Sequence, residues 1–316
     1  MKGWLVPSPG SMLALVEKED PYPGPGEVVV KIVATGLCHS DINLLKDPQW
    51  MPFRMNSGRI LGHECAGIVA ALGEDVTGWH EGDRVGVNPV DALQQKTLGF
   101  MRDGAYATHC VVPASQLVAL PDDVGFVQGA AAADTGLTAY HALFTEGHAE
   151  VGMRVGVIGI GGVGQFVAQM AHIRGCTVFA ADVDEGARSL AMSLGCTRVY
   201  PDVRDMAVDR PSLIIDCAGF GSTTAGAIEA IAPDGTVVIV GRGVLETTVS
   251  TYLIISKHIT LKGSWGGSNN DLAKVYAHYE AGLLTPNLKE ISFEDIGRTM
   301  QQLTSQKSNG HIIAVI

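Results

Sequence analysis

Two groups of residues in this 316-residue chain combine side-chain types and spacings that could do chemistry. The first is the glycine string Gly159-Ile160-Gly161-Gly162-Val163-Gly164, with Asp182 twenty-one residues beyond Gly161. Between a strand and a helix, such glycines let the chain turn tightly and let its backbone approach a pyrophosphate, whose charge meets the unpaired N–H groups of the helix N-terminus. A carboxylate at the end of the next strand can accept both hydroxyls of an adenosine ribose, so the two features together point to a dinucleotide. Val183 follows Asp182, and no arginine stands near to hold a 2′-phosphate until Arg188, which favours NAD over NADP. The second group is Cys38-His39-Ser40-Asp41 with Gly62-His63-Glu64. A thiolate and an imidazole are zinc ligands, but two such residues do not make a site. A small buried cysteine and a hydrogen-bonded histidine are the commoner fates of these types.

The elements that must position these groups follow from pattern. Residues 27–33, EVVVKIV, come after the breaker-rich PYPGPG and read as a strand; short strands are also expected at 67–72, 83–87 and 108–112. The first part of the chain is therefore mostly β. From Asp134 an apolar-periodic helix is expected, and strands at 154–158, 177–181, 213–217, 236–240 and 259–262 then alternate with helices such as 164–174 and 185–194. That alternation predicts an α/β fold with a doubly wound parallel sheet. Residues 271–316 carry an amphipathic helix, an acidic SFED turn and the strand HIIAVI, and are expected to return to the first domain. The division expected is 1–135, 136–264 and 265–316.

Composition removes several classes of function. With 46% hydrophobic and 17% charged residues the chain can bury a core, so disorder is excluded. A formal charge of −11 without a Lys/Arg cluster argues against a nucleic-acid partner. The longest uncharged stretch, 155–173, contains five glycines, two glutamines and His172, which suits a strand, a turn and a buried helix rather than a membrane span. The six cysteines form no CxxC pair and the start MKGWLVPSPG has no signal-peptide pattern, so a reducing cytoplasm is the expected location.

Residues 36–41 (G-L-C-H-S-D), 62–64 (G-H-E), 82–85 (G-D-R-V), 134–140 (D-T-G-L-T-A-Y) and the glycine loop together resemble the zinc-dependent alcohol dehydrogenases of the medium-chain dehydrogenase/reductase superfamily, over nearly the whole chain. The resemblance implies a GroES-like, β-rich catalytic domain beside a Rossmann coenzyme domain. It implies one catalytic zinc on Cys38, His63 and Asp134, the last standing where many relatives have cysteine; a carboxylate oxygen is an acceptable ligand there. Glu64 would stand behind this set or serve as an exchangeable fourth ligand. Asp41 would orient His63 through its other ring nitrogen, the alternative being a helix N-cap. Ser40 would take the alcohol proton and pass it along the nicotinamide ribose, and His39 would touch the cofactor pyrophosphate. Gly159, Gly161, Gly162, Val163, Gly164 and Asp182 would hold NAD. Trp50, Phe53, Pro89 and Trp265 are candidate walls of a pocket for a small alcohol, aldehyde or ketone.

Three departures accompany the resemblance. Where relatives with a structural zinc insert four close cysteines, residues 88–106 contain none, so that zinc and its lobe are expected to be absent. Asn43 occupies the place of a relay histidine, and an amide takes no proton at neutral pH. Near the C-terminus, where an arginine often helps to hold the pyrophosphate, this chain offers His311, which would bind the cofactor in its place. Two alternatives are a zinc-free quinone or enone reductase of the same superfamily and a non-catalytic nucleotide-binding protein. A homodimer or homotetramer is expected, joined through a late edge strand formed by residues 239–240 and 247–255.

Overall fold

A computed structural model of the chain describes residues 1–8, 11–47, 58–91, 96–304 and 310–316; Trp50 and Phe53, two of the expected pocket walls, lie outside the described residues. The chain forms two compact units. One comprises Met1–Asp134, Gly267–Gly282 and Leu288–Ile316, the other Thr135–Gly266 and Leu283–Asn287.

The first unit is organised by the strand Glu27–Leu37, whose β-branched run buries Val28, Val30 and Ile32. It pairs antiparallel with Glu64–Leu72 along its length, with register shifts at Val29/Val30 and Ile32/Ala34. Such shifts bend a strand. Its opposite edge takes two partners in succession, His109–Pro113 against Glu27–Lys31 and His311–Val315 against Ala34–Leu37. Leu288–Ser292 lies parallel to the last of these, while Arg84–Val87 and Leu117–Ala119 continue the sheet on the side of Glu64–Leu72. Val85, Val87, Val112 and Leu117 complete the core between them. The helix His39–Lys46 starts directly after the long strand, and its Ile42, Leu44 and Leu45 pack with Val6, Leu61 and Tyr106 in a second core. That packing fixes the start of the helix, and Cys38 caps it through its backbone position alone, without a side-chain hydrogen bond.

The second unit is a six-stranded parallel sheet in the order Arg198–Tyr200, Thr177–Ala181, Arg154–Ile158, Leu213–Asp216, Thr236–Ile239, Thr260–Gly263. In chain order this is 3-2-1-4-5-6, the doubly wound arrangement whose ligand crevice lies outside the carboxyl ends of the strands where the order reverses. The first strand, RVGVI, is buried from Val155 onward because helices must cover both faces of a parallel sheet.

Two expectations are corrected. The helix expected from Asp134 is already under way at Phe126–Ala131, and Ala132–Gly136 is a π-turn within the helical run. Alanines 130–133 are all fully buried, so this stretch shows no apolar stripe from which its helical period could be read. Residues 247–255 supply no edge strand. Thr251–Ser256 is a helix capped by the Ser250 side chain, which accepts from the Leu253 N–H, and the edge of the sheet is Thr260–Gly263. Leu253 and Ile254 pack inward while Tyr252 and Ile255 face solvent, a helical rather than an alternating pattern.

Candidate metal and dinucleotide sites

Cys38 ends the turn between the long strand and its helix, His63 and Glu64 open the strand Glu64–Leu72, and Asp134 sits in the π-turn. These four residues, drawn from three separate segments of the chain, each offer one ligand atom, and the four atoms lie within 4.8 Å of one another. A tight turn makes this possible: Gly62 has φ +91°, a conformation that suits glycine, and delivers His63 inward. His63 is 3% exposed and Glu64 fully buried. Opposite Glu64 on the neighbouring strand is Gly36, where a Cβ would come within 2.0 Å of Glu64 Oε2, so the carboxylate occupies space that only a glycine leaves.

The cluster is rich in negative charge for so enclosed a place. Asp41 is fully buried, accepts the Tyr106 hydroxyl on Oδ2 at 2.8 Å, and sets the same oxygen 3.4 Å from His63 Nδ1. Neither His63 Nδ1 nor Asp41 Oδ1 has a hydrogen-bond partner among the described residues. His63 Nε2 is 3.4 Å from Asp134 Oδ2 and 3.4 Å from Ser40 Oγ, and the Ser40 hydroxyl donates to Cys38 Sγ at 3.0 Å. Burial pushes the Cys38 thiol above its ordinary pKa, against the opposing pull of His63. Burial alone would lower His63, but the charges of Asp41, Cys38 and Asp134 outweigh it and raise the imidazole well above its usual value. A thiol, an imidazole and two carboxylates converging out of water, with a third carboxylate behind the ring, are costly as separate charges and favourable around a cation. The donor set, Cys, His and carboxylate, is one that zinc accepts.

The remaining expected residues fall as follows. His39 stands at the surface in the first helical turn; partial enclosure of its ring, with the positive charges of His311 and Lys46, lowers its pKa. Asp41 is no N-cap, since Cys38 holds that position. Asn43 is half-buried on the same helix. His311, 5% exposed at the start of the C-terminal strand, has Nε2 2.5 Å from Glu64 Oε2, so the ring meets a carboxylate of this chain. Tyr106 was not singled out from the sequence, and Gly36 entered only as the first residue of the G-L-C-H-S-D motif without a task of its own, because both reveal their roles only by what they touch.

In the second unit the loop after Arg154–Ile158 carries Gly159 at φ +81°, and Gly161 precedes the helix Gly162–Ile173 with no side chain capping it. A Cβ on Gly161 would meet nothing within 4 Å, whereas one on Gly164 would come within 1.8 Å of the Gly159 carbonyl oxygen. One glycine thus leaves open space and the other permits close packing of helix on strand. Asp182 directly follows the next strand, Thr177–Ala181; its Oδ2 accepts from the Ile160 N–H at 2.8 Å and its Oδ1 from the Asp184 N–H at 2.9 Å. The carboxylate is thereby oriented at the loop with lone pairs to spare for hydroxyl donors. The Arg188 guanidinium donates to the Asp182 carbonyl, and Val183 is 74% exposed.

The chain is similar to known proteins. Residues 24–122 match the family model of the alcohol dehydrogenase GroES-like domain, and residues 162–281 that of the zinc-binding dehydrogenases. An alcohol dehydrogenase of Geobacillus stearothermophilus is 28% identical, with 99% of this chain and 98% of the relative covered. One from Rhizobium meliloti is 29% identical across 96% of this chain and 95% of its own length. Among solved structures, acetophenone reductase from Geotrichum candidum in complex with NAD superposes with a TM-score of 0.91 at 27% identity, covering 100% of this chain and 97% of its own. The alcohol dehydrogenase of Aeropyrum pernix shares the fold, with a TM-score of 0.92 at 23% identity over the whole of both chains.

Proposed function

Because the chain belongs to the zinc-type alcohol dehydrogenases of the medium-chain dehydrogenase/reductase superfamily, we propose that its NAD-dependent oxidoreductase activity interconverts a small alcohol and its aldehyde or ketone at a zinc held by Cys38, His63 and Asp134. The observation that carries this reading is the meeting of those three side chains, with Glu64, within 4.8 Å. Zinc bound there would supply Lewis-acid polarisation of the substrate oxygen, and NAD would take or give the hydride.

The chain's own residues have separate tasks. Ser40 is placed to carry the hydroxyl proton away, its Oγ being 3.0 Å from Cys38 Sγ and 3.4 Å from His63 Nε2. Asn43 cannot end that path as a base, so the proton leaves towards the nicotinamide ribose and solvent. Asp41 holds the far side of the His63 ring, and His311 holds Glu64. On the cofactor side, the open N-terminus at Gly161, with Gly159, Gly162, Val163 and Gly164, receives the pyrophosphate. Asp182 accepts the ribose hydroxyls and repels a 2′-phosphate, which sets the preference for NAD. The chain works as a homodimer or homotetramer, with Thr260–Gly263 at the sheet edge and the exposed Tyr252 and Ile255 as joining surface.

The test follows NADH absorbance with a panel of primary and secondary alcohols, together with metal analysis. Turnover with NAD but little with NADP, and one zinc per chain, is expected. Ser40→Ala should lower turnover by roughly a hundredfold, the size of a lost acid–base step, with zinc content unchanged. Full activity without zinc, or equal rates with NADP, would overturn the reading.

A further inference from the structure

We propose that Tyr106 is the positioning residue of the metal cluster, joining the helix that carries Cys38 and Asp41 to the turn that delivers His63. The inference rests on the zinc reading above and concerns residues of the first unit only. Tyr106 is fully buried, and its backbone is tied at both polar groups: its N–H donates to the Leu61 carbonyl at 2.8 Å and its carbonyl accepts from the Trp4 N–H at 2.7 Å. Its ring lies against the residue before His63, since a Cβ on Gly62 would come within 2.3 Å of Tyr106 Cδ1. Its hydroxyl, 2.8 Å from Asp41 Oδ2 and 4.0 Å from Met300 Sδ, reaches the other half of the cluster. One rigid side chain therefore spaces the His63 backbone and orients the carboxylate behind the His63 ring.

The hydroxyl matters because Asp41 has few alternatives. Asp41 Oδ1 is buried with no hydrogen-bond partner among the described residues, and Oδ2 reaches His63 Nδ1 only at 3.4 Å. A buried carboxylate is held in one orientation by the few donors it finds. Without the tyrosine O–H, Asp41 would lose the donor that keeps it turned towards His63, and a metal-ligating imidazole depends on such a partner for its orientation and tautomer.

The experiment is competition for zinc between a chromophoric chelator and the full-length chain, as wild type, Tyr106→Phe, Asp41→Asn and the double variant. Tyr106→Phe should bind zinc about tenfold or more weakly, the usual scale for loss of a residue behind a ligand. In the Asp41→Asn background the same change should cost little further, since the path runs through that carboxylate. Unchanged or tighter zinc binding in Tyr106→Phe, or an equal loss in both backgrounds, would overturn the proposal while leaving the zinc reading intact. A wild-type chain that binds no zinc would overturn both. Should Tyr106→Phe fail to fold, biosynthetic 3-fluorotyrosine labels the hydroxyl's ring in the full-length chain, and the Tyr106 fluorine resonance should move on adding zinc to the wild type and lose that movement in Asp41→Asn. No zinc-dependent movement would count against the role.

Discussion

Asp216, at the end of the strand Leu213–Asp216, is a fully buried carboxylate met by four donors. The Ala218 and Gly219 N–H groups and the Thr223 hydroxyl point at Oδ1, and the Thr223 and Thr224 hydroxyls at Oδ2. Burial outweighs these donors and raises its pKa above the ordinary carboxylate value. The folded chain therefore holds this proton more tightly than the unfolded one. Stability contributed here is present below the ordinary carboxylate pKa and is lost as pH rises through the raised value. The urea midpoint of the wild type relative to Asp216→Asn should accordingly fall as pH rises above the ordinary carboxylate range; a constant difference would show that the carboxylate titrates at its ordinary value. At this scale the chemistry-bearing types were legible: Cys38, His63, Asp134 and Asp182 stand out by motif and resemblance. Tyr106 and the contacts of Glu64 with Gly36 and His311 were not, because a hydroxyl donating to a carboxylate sixty-five residues away, like any such distant pairing, leaves no local spacing to read.

Among the elements, the glycine loop makes the most separable prediction. Gly161→Ala should leave the unfolding midpoint within about 0.5 kcal/mol of wild type, as at other sites free of steric conflict, because its Cβ meets nothing within 4 Å. The same change should weaken NAD by at least about tenfold, or 1.4 kcal/mol, since the added methyl enters the space the pyrophosphate needs. Gly164→Ala should do the reverse in order of cause: the 1.8 Å approach to the Gly159 carbonyl forces helix from strand, and stability falls by about 1–3 kcal/mol or more. Denaturation curves and NAD titration by fluorescence would separate the two. Equal stability losses would contradict the division of labour. Strand positions such as 154–158 and 177–181 were readable to the residue because branched, buried runs bounded by breakers have few other uses. Thr251–Ser256 misled because YLII lacks a period, and the Ser250 cap that decides for helix is a geometric event.

For the whole molecule, stability should respond to both ligands by mass action. NAD or zinc at a hundredfold excess over its Kd should add about 2.7 kcal/mol to unfolding, visible by calorimetry as a raised transition, and chelation should reverse the zinc contribution. No shift with excess NAD would remove the nucleotide site from the reading. None of the described helices is long and apolar enough to cross a membrane. What the sequence by itself determined was the class of the chain: a β-rich part, an alternating α/β part, a glycine loop with its carboxylate, and a cysteine–histidine pair with a resemblance to give it meaning. These are local properties, set by side-chain type and by periods of two and 3.6 residues. Only the tertiary structure decided that Cys38, His63, Glu64 and Asp134 converge within 4.8 Å, that His311 meets Glu64, and that Tyr106 stands behind Asp41. Each of those meetings depends on how a bent strand, a π-turn and a C-terminal strand pack around one buried point, and packing is a property of pairs far apart in the chain.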